Sequence, residues 1–250
     1  MDPKGKTALI TGGAVRVGRA ITLGLARAGA NVVINYHRSA GPAEETAAAA
    51  RQFGVEALAM QANVADQEEV ERMVAAAVAR FGGVDILVNS ASLWRATPFP
   101  TEDVSDWHLV KNILIDGAFY CANAVAPLMR AAGEGAIINI VDRAAYGPWP
   151  DFIAHSVGKT ALLALNRQLA LELAPEVCVN AVSPGPVMPP PDYSPETVER
   201  FAQNTLLNRW GTPEDIAGAV LFFVRANYIT GEDIAVDGGE RFGHRKQSNW

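Results

Sequence analysis

Apolar runs of strand length alternate along this chain with longer stretches of helical period, and that alternation constrains the fold more than any other feature. TALIT precedes a helical segment at Arg16 to Ala28, NVVINY one at Pro42 to Phe53, and ALAMQA one at Gln67 to Phe81. The pattern continues as DILVN, a long helix over Asp103 to Ala131, AIINIV, a helix over Phe152 to Ala174, and CVNAVS. Near-continuous apolar strands separated by helices predict a parallel sheet buried on both faces. The expected class is α/β, a doubly wound parallel sheet with helices on both faces and right-handed crossovers. Punctuation agrees: Gly29 and Gly54 end two helices, Pro175 stops the segment carrying Lys159, and Thr212 with Pro213 opens the last helix.

No Gly/Ser-rich linker, composition shift or internal repeat divides the 250 residues, so 1–250 reads as a single domain. Twenty-one basic against 27 acidic side chains leave a net charge of -6, with no Lys/Arg cluster to attract nucleic acid. Cys121 and Cys178 lack CxxC spacing and read as buried free thiols; no His, Cys or carboxylate set has metal-ligand spacing, so no metal is expected. The start, MDPKGKTALITG, has no long apolar stretch, and no run approaches the roughly 20 apolar residues of a membrane span. A cytoplasmic protein without a membrane partner is expected.

The first strand runs into TGGAVRVG, Thr11 to Gly18, and then a helix. A strand, a glycine-rich turn and a helix point backbone N–H groups and a positive helix end at a pyrophosphate, which favours a dinucleotide over a merely structural turn. After the second strand an acidic residue would bind the ribose 2′-hydroxyl of NAD, but the chain reads NYHRSA, Asn35 to Ala40. Arg38 and the Ser39 hydroxyl can meet a 2′-phosphate, so NADPH/NADP+ is the expected cofactor. The alternative is that Arg38 is a solvated charge where the helix begins. His155 and Lys159, four apart in HSVGK, rise from one helix face.

These motifs, with NSAS at Asn89 to Ser92, IINIVD ending at Asp142 and SPGPV at Ser183 to Val187, resemble the short-chain dehydrogenase/reductases over the whole chain. The resemblance implies a Rossmann-like domain, 1–90 mainly binding dinucleotide and 91–250 carrying catalysis and substrate. It implies a cofactor site at Gly12, Arg16, Val17, Gly18, His37, Arg38, Ser39, Asn63, Val64, Asn89, Ser90, Ala91, Lys159, Pro184, Gly185 and Val187. In the family a Tyr stands four residues before the Lys, with a Ser after the fifth strand and an Asn on the long helix. Here those positions hold His155, Asp142 and Leu114. The usual PGxxxT has become PGPVMP, with Pro189 in place of Thr, and the proline-rich stretch Pro184 to Pro195 lies where a substrate lid is expected.

A narrower resemblance is to the pteridine reductases, which share TGxxxRxG, YHRSA, NxAS followed by an aromatic, and VD. It implies substrate binding by Arg16, Ser92, Trp94, Asp142 and His155, and catalysis by Asp142, His155 and Lys159, with a flat C=N or carbonyl substrate. Trp94 either stacks on that ring or packs on the core or another subunit. For His155 three roles stay open: proton donor, substrate positioner beside an Asp142 whose pKa burial has raised, or mark of a protein that binds NADPH without turnover. A ketone or acyl-thioester reductase is a further alternative. An imidazole donor titrating near ~6.5 predicts a rate that falls as pH passes neutrality. Tyr146 reads as a loop residue of the cleft, with Trp149, Phe152 and Trp210 at its border. The family also implies a homotetramer or homodimer pairing the helices of Asp103 to Ala131 and Phe152 to Ala174. Arg241 either reaches a neighbouring subunit's site or belongs to a frayed terminus that includes His244.

Overall fold

The computed structural model describes residues 1–190 and 192–243; His244 and the rest of the tail lie outside them. Seven parallel strands form one sheet: β1 (Thr7–Ile10), β2 (Asn31–Tyr36), β3 (Ala57–Gln61), β4 (Ile86–Asn89), β5 (Gly135–Ile140), β6 (Val177–Pro184) and β7 (Asp233–Val236). Their spatial order is β3-β2-β1-β4-β5-β6-β7. Between them run α1 (Arg16–Arg27), α2 (Ala40–Arg51), α3 (Gln67–Phe81), α4 (Ser105–Lys111), α5 (Gly117–Ala132), α6 (Ile153–Leu173), α7 (Pro195–Asn204) and α8 (Pro213–Arg225). This is the expected doubly wound α/β architecture.

Successive strand side chains point to opposite faces, so β1 sends Ala8 and Ile10 into one core and Leu9 into the other. The first core packs α1, α2 and α8 through Ile21, Leu25, Ala47 and Phe223; the second packs α3 and α5 through Met73, Val125 and Met129. Burial on both faces explains why the strands read as unbroken apolar runs. Cys121 lies in the second core, where burial pushes its thiol up to about 12 and leaves it inert.

Two elements depart from expectation. The single long helix over Asp103 to Ala131 is α4 and α5 joined by a π turn at Asn112–Asp116. Leu114 in that turn is 1% exposed and lies where a Cβ on Gly158 would stand 2.7 Å from its Cδ1, so packing against α6 holds the widened turn. Helix α7 was hidden behind the prolines of the segment before it. Its signals are nonetheless local: Ser194 accepts the Thr197 amide, and Pro195 opens the helix.

Candidate active site

Order reverses between β1 and β4, where the sheet's neighbouring connections diverge and leave a crevice at the strands' C-terminal ends. The turn after β1 forms its floor. Gly12 has φ 61°, and a Cβ there would press on the Ala91 backbone at 3.0 Å; a Cβ on Gly18 would collide with the Gly12 carbonyl oxygen. Arg16 also takes a left-handed conformation, φ 51°, which glycine adopts freely and arginine adopts at a cost of about 1–2 kcal/mol. No side chain caps the α1 N-terminus and no acid stands in its first turn, so its amides are available to a phosphate.

Two residues not singled out in the sequence build this turn. Thr11 Oγ1 accepts the Ser90 and Ala91 amides at 2.9 and 3.0 Å, joining the ends of β1 and β4. Asn35, buried within β2, accepts the Gly12 amide at 3.2 Å and donates to Ala62 O at 3.0 Å. A lone amide inside NVVINY was the available signal. At the end of β2, His37 and Arg38 are exposed, and among the described residues no side chain engages Arg38 or the Ser39 hydroxyl. Asn63 spends its Oδ1 partly on the Ala65 amide at 3.1 Å, and Val64 packs on Gly117. The Asn89 side chain turns inward, donating to Asn139 Oδ1 at 3.0 Å, rather than facing a ribose. The free helix amides and the close-approach glycine turn fit a dinucleotide.

A cleft of about 460 Å³ brings together Arg16, Val17, Ser90, Ser92, Trp94, Asp142, Lys159, Pro184, Gly185 and Val187. Trp149 and Trp210 also border it. The Arg16 guanidinium crosses to donate to Met188 O at 3.0 Å. The loop after β4 is pinned to the start of α6: Thr97 N–H donates to Asp151 O at 2.6 Å, and Thr97 Oγ1 accepts the Ala154 amide at 3.0 Å. Trp94 thereby stacks on Phe152 at 4.1 Å and meets Trp149 and His155 in T-shaped contacts at 5.0 and 4.9 Å while remaining 52% exposed.

Asp142 follows β5 and His155 and Lys159 stand on α6. The Lys159 ammonium donates to Ile140 O at 2.7 Å; burial pushes its pKa down, against the opposing pull of Asp142. One of the three roles left open for His155 supposed an Asp142 raised by burial, and the surroundings of the carboxyl set it the other way. Burial does push its carboxyl up, but the His155 N–H, the Lys159 charge and the Ala144 amide outweigh it and hold Asp142 below the ordinary carboxylate value. A carboxylate only accepts, so His155 Nε2–H donates to Asp142 Oδ2 across 2.6 Å. His155 itself is 2% exposed and does not border the cleft. The rings of Trp94, at 4.9 Å, and Trp149, at 6.3 Å, pack against the imidazole, so the expected direct place for His155 in the cleft is not found and its link to the cleft runs through Asp142. Its Nδ1 is buried without a partner among the described residues.

Tyr146 is absent from this cleft: it donates to Asp233 and lines a neighbouring recess, and burial and that carboxylate push its hydroxyl up to about 12. Phe152 supports Trp94 rather than lining the cleft. Arg241 packs over Phe242 within its own chain. Among the described residues no three His, Cys, Asp or Glu could hold a metal, and no helix is long and apolar enough to cross a membrane.

Residues 13–240 match the family model described as enoyl-(acyl carrier protein) reductase. The chain is 36% identical over 239 residues to the 3-oxoacyl-(acyl-carrier-protein) reductase of Synechocystis sp., covering 94% of this chain and 96% of that one. A short-chain dehydrogenase/reductase mutant from Serratia marcescens superposes with a TM-score of 0.88 at 32% identity, over 96% and 99% of the two chains. NAD+-bound xylitol dehydrogenase does so with a TM-score of 0.88 at 28% identity, over 96% and 100%. The glycine turn at the switch point, the β5 and α6 constellation and these likenesses together place the chain in the short-chain dehydrogenase/reductase family of nicotinamide-dependent oxidoreductases, to which it belongs.

Proposed function

We propose that the protein is an NADPH-dependent reductase of a flat, pterin-like C=N or related ring carbonyl, with the proton carried by the Asp142–His155 pair. The observation that carries this reading is a carboxylate at the cleft wall backed at 2.6 Å by a buried imidazole. The half-exposed Trp94 indole, with Arg16 and Ser92 in the same cleft, suits a flat ring bearing polar edges. The unengaged Arg38 and Ser39 support NADP(H) over NAD(H).

Bound NADPH supplies the hydride. Lys159, held by Ile140 O, keeps two N–H groups for a ribose in the cleft. The Ala144 amide fixes Asp142 Oδ1 at 2.7 Å, so the carboxylate cannot swing away from the wall. In the protonated pair the proton moves from His155 Nε2 to Asp142 and on to the substrate nitrogen or oxygen. Asp142 borders the cleft and His155 does not, so the pair is recharged through Asp142 from the cleft.

A second reading, reduction of an acyl thioester or simple ketone, draws on the Synechocystis relative. The test is to mix the protein with NADPH and a dihydropterin, a quinone or an acetoacetyl thioester and follow the reduced cofactor. Turnover of the flat rings alone supports the first reading and turnover of the thioester alone the second. Tight NADPH binding with no turnover at any pH from about 5 to 8 makes the protein a binding member of the family. We further propose that α4, α5 and α6 pair two or four copies, which leaves Leu109, Phe119, Val157 and Leu171 exposed in the single chain.

A further inference from the structure

The substrate cleft has a second carboxylate that no motif announced. Glu240 follows β7 in a short 3-10 turn, Glu240–Phe242, and its side chain is 13% exposed. The turn is built to hold it. Asp237 accepts the Gly239 and Arg241 amides at 2.9 and 3.0 Å. Gly238 and Gly239 take φ 61° and 82°, and a Cβ on Gly239 would strike the Leu206 side chain at 2.7 Å, so the backbone lies hard against the segment after α7. From a braced position, Glu240 therefore reaches the cleft that Asp142, Trp94 and Arg143 also line.

Its satisfaction is incomplete. Among the described residues the only partner of the Glu240 carboxylate is Arg143 Nη1 at 3.4 Å, an ion pair without a hydrogen bond, while Arg143 Nε is buried and unpaired. A mostly buried carboxylate with unused lone pairs is costly unless a ligand completes it. Burial also pushes the Glu240 carboxyl up, as expected of an acid short of donors.

We infer that Glu240 is a specificity-determining residue that accepts N–H donors from the edge of the substrate ring remote from the reacting bond, selecting an amino-substituted N-heterocycle. This rests on the flat-ring reading proposed above and narrows it. A carboxylate takes two parallel N–H donors of an aminopyrimidine-type edge in the bidentate geometry it uses with a guanidinium. A ring carrying a carbonyl at that place would set acceptor against acceptor. A quinone or an acyl thioester offers no such donors.

The experiment is equilibrium binding to the NADPH complex, followed by tryptophan fluorescence, since Trp94, Trp149 and Trp210 all line the cleft. Two probes are used, a 2-amino-4-oxodihydropteridine and its 2-oxo analogue. The wild type is expected to prefer the amino ring by about tenfold or more, the worth of a hydrogen bond to a charged group. Glu240→Gln is expected to lose that preference and to bind the 2-oxo ring at least as well as the wild type does, which also reports that the variant is folded. No preference in the wild type, or an unchanged preference in Glu240→Gln, overturns the inference and leaves the flat-ring reading standing. Failure of both rings to bind overturns the two together.

Discussion

Replacing His155 with Phe tests the pair at the heart of the site. The ring is 2% exposed and packs beside both Trp94 and Trp149, so a ring of similar size keeps the packing while removing the donor to Asp142. A hydrogen bond to a charged group contributes about 1.5–3 kcal/mol, and in a chain of this size each kcal/mol moves Tm by about 2–4 °C. The expected loss at pH 7 is therefore about 3–12 °C. The pH dependence carries the sharper sign. Asp142 is held below its ordinary value of 3.8, so its favourable contribution is present above that value and is lost as pH falls through the lowered one. Without His155 the burial penalty faces only Lys159 and the Ala144 amide, the lowering shrinks, and the deficit against wild type should narrow below pH ~4. Urea unfolding of both proteins at pH 7 and at pH ~3.5 measures this. A deficit equal at both values, or none at pH 7, would refute the assignment of an ionised Asp142 held by His155.

Other perturbations read the cofactor and chemical halves separately. Asp142→Asn should lower kcat by about 10²–10⁴-fold while NADPH binding, measured by cofactor fluorescence, stays within a few fold. Arg38→Ala should weaken NADPH by about tenfold or more and leave NADH nearly unchanged, as seen in the ratio of the two KM values. Gly18→Ala sets a methyl against the Gly12 carbonyl and should abolish binding of either dinucleotide, by calorimetry, in a chain that remains folded by circular dichroism.

The sheet was legible because its signal is local and periodic: β1, β2, β4, β5 and β6 bury both faces, and their runs stand out without any alignment. Gly12 and Gly18 were legible because close approach excludes every other residue. Arg16 was legible as a substitution, whereas its left-handed backbone was not, since that depends on the turn around it. The π turn at Leu114 escaped notice because it is held by Gly158, far along the chain. Spacing placed His155 and Lys159 on one face of α6 and said nothing of depth; only the packing of Trp94 and Trp149 shows the imidazole lying behind Asp142. Glu240 was missed for the same reason, since a charged residue after VDGG reads as solvent-facing until the brace by Asp237 is seen.

The most direct test of the account is NADPH oxidation by a dihydropterin in wild type and Asp142→Asn, each first shown to bind NADPH. The account predicts turnover in the wild type and a loss of at least about a hundredfold in the variant with cofactor binding retained. An Asp142→Asn protein that turns over at the wild-type rate would contradict it.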